Sequence, residues 1–149
     1  MNIIEELLSN RILVCGCVAW LCAQVLKTAI YSLVNHRLDL TRLYGDGGMP
    51  SGHSATVVAM ATTSAVLYGL GSFEFAVTLL LAIIVMHDAM GVRLETGKQA
   101  KVIKEIAELM ESLGKDVSNE EKLKEFVGHT PVQVTAGALL GIIVALLWP

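Results

Sequence analysis

The sequence predicts an all-α integral membrane bundle with about four transmembrane helices and a cytoplasmic amphipathic helical segment, in a single membrane domain over residues 1–149. Three observations lead there. The chain is 54% hydrophobic over 149 residues, with a positive mean hydropathy, which is too apolar for a soluble domain of that size. Four runs have the length, about 20 residues, that a hydrocarbon core demands. Nine of the eleven Lys and Arg residues fall in just two connecting segments. That asymmetry sets membrane topology and does not mark a nucleic-acid surface, so no nucleic-acid partner is expected.

The first run, about 12–34, carries Cys15, Cys17 and Cys22 with neither a metal-ligand spacing nor nearby His or carboxylate partners, so they read as small packing residues. Glu5 and Glu6, with no Lys or Arg before Arg11, make the start unlike a secretory signal, and the run is expected to stay as a span. Trp20, near its middle, is expected to fill the bundle. The second run, about 53–70, is less apolar because of Thr56, Thr62, Thr63 and Ser64, hydroxyl residues that can bond back to helix carbonyls and face neighbouring helices. After the Gly71-Ser72 turn comes the third, about 73–92. In the fourth, about 132–148, Gly137 and Gly141 clear one face for close helix approach, and Trp148 is a natural interfacial anchor.

Four crossings put segments 35–52 and 93–131 on one side. The first holds Arg37 and Arg42, the second Arg93, Lys98, Lys101, Lys104, Lys115, Lys122 and Lys124, against Arg11 on the other side. By the positive-inside rule both segments are cytoplasmic. Within the longer one, Val102, Ile103, Ile106, Ala107, Leu109, Met110 and Leu113 recur at helical spacing among Lys and Glu, which predicts an amphipathic helix lying on the membrane surface or the bundle. Ser118-Asn119-Glu120-Glu121 resembles a capping box for a second short helix ending at Gly128.

The stretch Gly47-Gly48-Met49-Pro50-Ser51-Gly52-His53-Ser54 reads as an anion cradle built onto a helix start. Pro50 and Ser51 suit that start, Gly52 leaves backbone N–H groups unshielded, and the helix dipole adds partial positive charge. Ionisable groups at a membrane edge need partners or a function. Lys27, Arg37, His53, His87, Asp88, Arg93 and His129 all fall at the cytoplasmic boundary, though scattered over a hundred residues. Two histidines beside fixed cations form a phosphoryl-transfer set that requires no metal and no cofactor. His87 reads as structural or supporting, and Asp88 with Arg93 as either a helix-end ion pair or part of the site.

Pro50-Ser51-Gly52-His53, with His129-Thr130-Pro131-Val132-Gln133 downstream, resembles the type 2 phosphatidic acid phosphatase superfamily, which includes vanadium haloperoxidases. Gly47 to Ser51, Asp88 to Arg93 and Gly128 to Pro131 are similar to its small divergent branch of membrane proteins, over roughly residues 27–141. The resemblance implies His53 as general acid, His129 as the nucleophile that forms a phosphohistidine, phosphate contacts at Ser51 and Gly52, and Lys27 with Arg37 as the upstream basic pair. Where the superfamily has an Arg before the nucleophile this chain has Leu123, and where it has an Asp after it, Gln133. Arg93 and Asp88 could supply those charges. A glutamine carbonyl can orient the imidazole but brings no charge to it.

The function expected is that of an integral cell-membrane, multi-pass phosphatase, acting on a lipid phosphate or diphosphate at the cytoplasmic membrane boundary. The alternative is a non-catalytic membrane protein that binds, translocates or scaffolds lipid phosphates, favoured by Leu123 and Gln133. A proton-coupled channel using His53, His87 and Asp88 would not need the glycine-rich cradle. Four spans leave room for a homodimer to complete the pocket wall, using the glycine-bearing face of the last span.

Overall fold

The structure, a computed structural model, describes residues 2–37, 48–113 and 129–148, with the side chains of residues 92–94, 96 and 111 outside that description. Among the described residues there are six helices and no strand: α1 (Ile3–Ser9), α2 (Arg11–Asn35), α3 (Gly52–Tyr68), α4 (Phe73–Met90), α5 (Val92–Ser112) and α6 (Pro131–Leu147). Side-chain oxygens start four of them. Asn10, Ser51, Ser72 and Thr130 accept from the N–H groups of Leu13, Ser54, Phe75 and Gln133.

The four apolar runs are all helical, within two residues of the expected limits. Two of them, α2 with 25 residues and α4 with 18, are long and apolar enough to cross a membrane. α3 and α6 have 17 residues each, about 26 Å of helix. The amphipathic helix also forms, but begins at Val92, with only Gly91 between it and α4. The short helix expected near Ser118 lies outside the described residues. α1 was not signalled by periodicity, being only seven residues long.

α3 is the axis of the bundle. It packs against α2, α4 and α6, and α6 also touches α2 and α4, whereas α1 leans only on α2 and α5 only on α4 among the described residues. Small side chains make this possible: the core is Cys15, Ala19 and Ala23 of α2, Ala55 and Ala59 of α3, and Ala145 of α6. Hydroxyls tuck into their own helix, with Thr56, Thr62 and Ser64 donating to the carbonyls of Gly52, Val58 and Met60 at 2.8–2.9 Å. Trp20 is only partly inserted, its indole edge against Gly52.

Large side chains point outward instead. Val25, Leu80, Ile84 and Leu146 are each 60% exposed or more. Water would penalise such a surface, whereas lipid tails solvate it, and interhelical contact through small residues is what an apolar solvent leaves as the cohesive interaction. The protein is therefore an integral membrane protein. On α1, Ile3, Ile4, Leu7 and Leu8 are exposed, as are Val102, Ile103, Ile106, Leu109 and Met110 on α5.

The tightest contact joins α3 and α6. A Cβ placed on Gly137 would collide with the Ser51 carbonyl oxygen and lie 3.0 Å from Ser54 Cβ, and one on Gly141 would strike the Ala55 carbonyl and sit 2.9 Å from the Ala59 nitrogen. The glycine face is thus occupied by α3 of the same chain, so a second copy would have to use another surface. Gly137→Ala and Gly141→Ala should each destabilise the protein by about 1–3 kcal/mol through overpacking against backbone. Thermal unfolding in detergent checks this, with the exposed Leu139→Ala change expected to have a far smaller effect.

Candidate functional site

The C-terminal half of α2, the start of α3, the end of α4 and the start of α6 meet at one end of the bundle. Ser51 organises the α3 start. It is fully buried, its N–H donates to the Gln133 carbonyl at 3.0 Å, and its Oγ accepts from Ser54 N at 3.4 Å and Ser54 Oγ at 3.1 Å. These bonds hold Ser51 as a cap that takes the Ser54 N–H, while the N–H groups of Gly52 and His53 belong to the helix end without an intrahelical acceptor.

Before it, Gly48 has φ +100° and rests on Lys27, where an added Cβ would stand 3.2 Å from Lys27 Cγ. Glycine is needed there both for backbone conformation and for space. Lys27 itself is 4% exposed, so a chain position near the end of a membrane helix is closed over by the cradle loop rather than left to reach the headgroups. A cleft of about 180 Å³ runs beside it, lined by Lys27, Ile30, Tyr31, Val34, Gly48 and Met49. A second cleft, among Glu6, Arg11, Tyr68 and Glu74 at the opposite end, holds no imidazole.

His129 is 3% exposed and held from three directions. Its N–H donates to the Ala89 carbonyl at 3.2 Å, tying it to the last turn of α4. Its Nδ1 lies 3.2 Å from Gln133 Oε1, which also accepts the Thr130 N–H at 3.1 Å. The third tie is the peptide bond to Thr130, the N-cap residue whose capping box opens α6. His53, half-buried in the first turn of α3, brings its ring centroid to 6.2 Å from that of His129, with the planes inclined at 56°. Two imidazoles thus lie at two helix N-termini, whose aligned peptide dipoles favour an anion.

Lys27, Ser51, Gly52, His53 and His129 are brought to this one end. Asp88, half-buried, precedes the Ala89 carbonyl that holds His129. Arg37 is not drawn in: it is exposed, one residue past the left-handed cap His36, φ 51°. His87 is exposed as well. Arg93 lies in the first turn of α5, but its side chain, like Leu123 and Arg42, lies outside the described residues. Among the described residues, no three His, Cys, Asp or Glu side chains converge as metal ligands would.

Gln24 was not anticipated. It is 5% exposed, one turn before Lys27, and its buried Oε1 has no hydrogen-bond partner, which makes it a group that a donor at this end would satisfy. The signal was present in the sequence: Gln24, Lys27 and Thr28 are a polar set at helical spacing inside an apolar run.

The chain matches the Divergent PAP2 family over residues 8–144, a stretch that contains α2 to α6 almost entirely and every candidate residue named above. It is 40% identical over 150 residues, covering 95% of each chain, to a protein of Bacillus subtilis (strain 168) described as the uncharacterized membrane protein YuiD. No solved structure matches it. With that match over most of its length, the chain belongs to the divergent PAP2 family of small integral membrane proteins.

Proposed function

We propose that the protein is a membrane phosphatase that hydrolyses a lipid phosphate or diphosphate through a phosphohistidine. The observation that carries this is the pairing of His53 and His129 at 6.2 Å between the starts of α3 and α6. At that separation one tetrahedral phosphoryl group can touch both rings. Family membership, with a name drawn from phosphatidic acid phosphatases, supports the reaction class.

In this reading α2, α3, α4 and α6 all cross the bilayer, the slightly short α3 and α6 being accommodated by local thinning. The basic segments then lie in the cytoplasm, which sets the site at headgroup height beneath the inner leaflet. α5 rests in the headgroup region with its apolar stripe inward.

Neutral His129 attacks phosphorus, forming a P–N bond as the P–O bond to the lipid breaks, and His53 gives its proton to the departing oxygen. Water, deprotonated by the now neutral His53, then attacks the phosphohistidine, the P–N bond breaks, and inorganic phosphate leaves. Lys27 and the first-turn N–H groups of α3 stabilise the transferring oxygens, while Ser51 and Gly52 shape that turn. Asp88 and Arg93 adjust the charge around His129.

Binding without turnover is the second reading, favoured by the neutral Gln133 where a carboxylate would assist the nucleophile. Purified protein given lipid phosphates separates the two. Release of inorganic phosphate should vanish with His129→Ala and fall about 100-fold or more with His53→Ala. Equal binding by wild type and variants with no phosphate released would establish the second reading instead.

The cations should differ in weight. Lys27→Met should lower kcat/KM about 100-fold, since it removes a buried charge beside the phosphoryl oxygens. Arg37→Ala, at an exposed position, should change it little, and an unchanged rate in Arg93→Ala would remove Arg93 from the site.

A further inference from the structure

We infer that Gln133 locks His129 in the tautomer with hydrogen on Nδ1, so that Nε2 is the atom that attacks phosphorus. The first half stands on geometry alone. The second rests on the phosphatase reading.

The oxygen and nitrogen of a side-chain amide look alike but bond differently. A backbone N–H can only donate. The amide atom 3.1 Å from the Thr130 nitrogen must therefore be the oxygen. That same oxygen lies 3.2 Å from His129 Nδ1, and because an amide oxygen cannot donate, Nδ1 has to carry the hydrogen. In a neutral imidazole this puts the lone pair on Nε2.

Turning the amide over would set an NH2 group against the Thr130 N–H, two donors facing each other, and the bond to that N–H would be lost. The backbone of Gln133 cannot readily shift to avoid that. Its carbonyl receives the Ser51 N–H at 3.0 Å, its N–H approaches Thr130 Oγ1 at 3.4 Å, and four residues on Gly137 is pressed against the Ser51 carbonyl. One residue thus caps α6, joins it to the α3 cradle and orients the imidazole.

An aspartate in that place would orient the ring and also stabilise an imidazolium. Glutamine does the first without the second. Gln133 is accordingly a positioning residue that acts through His129.

The test is nitrogen-15 NMR of histidine-labelled protein in detergent micelles, at a pH where His129 is neutral. Wild type should show a pyrrole-like Nδ1 and a pyridine-like Nε2 for His129. Gln133→Glu should keep that pattern, and Gln133→Leu should move it toward the opposite tautomer, the form a free histidine side chain favours. Finding the hydrogen on Nε2 in wild type overturns the proposal without any variant, as does an unchanged pattern in a folded Gln133→Leu protein. Phosphate release read in parallel should show kcat lowered about 10-fold or more by Gln133→Leu, restored by Gln133→Glu, with KM nearly constant. A locked tautomer in a protein that releases no phosphate would refute the phosphatase reading and leave the lock standing.

Discussion

Everything at the cradle end depends on how closely α3 and α6 approach. With no side chain at Gly137 and Gly141, the backbones of the two helices touch, and this proximity brings the Ser51 N–H to the Gln133 carbonyl. Two helix starts far apart in sequence are thereby joined by one main-chain hydrogen bond. His53 follows the first partner by two residues and His129 precedes the second by four, so their meeting is a consequence of that bond.

The same constraint explains the inverted distribution of side-chain size. A core of alanine, glycine, serine and cysteine would be a poor core in water, where burial of large side chains is the main stabilising effect. In lipid, little is gained by burying leucine, and close van der Waals contact with internally satisfied hydroxyls serves instead. α3 is the helix most enriched in small and hydroxyl residues, and it is the helix that the others surround. Its small and hydroxyl residues are therefore a mark of its central position.

Much of this was legible in the chain because it follows from local chemistry. The Ser51 cap, the back-bonded threonines and the convergence of His53 and His129 all come from residue type, spacing and counting of crossings. What escaped depended on contacts or on length. α1 is too short for a periodic signal, and α5 starts early although Thr96 and Gly97 are weak helix formers. Arg37 looked like the partner of Lys27, but α2 ends between them and leaves it exposed, while Gln24, hidden among apolar residues, proved to be the buried one. At the packed end the Gln133 side-chain oxygen has a backbone donor, the Thr130 N–H, to satisfy as well as an imidazole.

The central claim is that the two imidazoles serve one phosphoryl group, and an experimental structure of the protein with orthovanadate would test it most directly. The account predicts vanadium bonded to His129 Nε2, with the His53 ring within hydrogen-bond distance of a vanadate oxygen and Lys27 close to another. Vanadate bound elsewhere, or held at this end without contact to either ring, would contradict it.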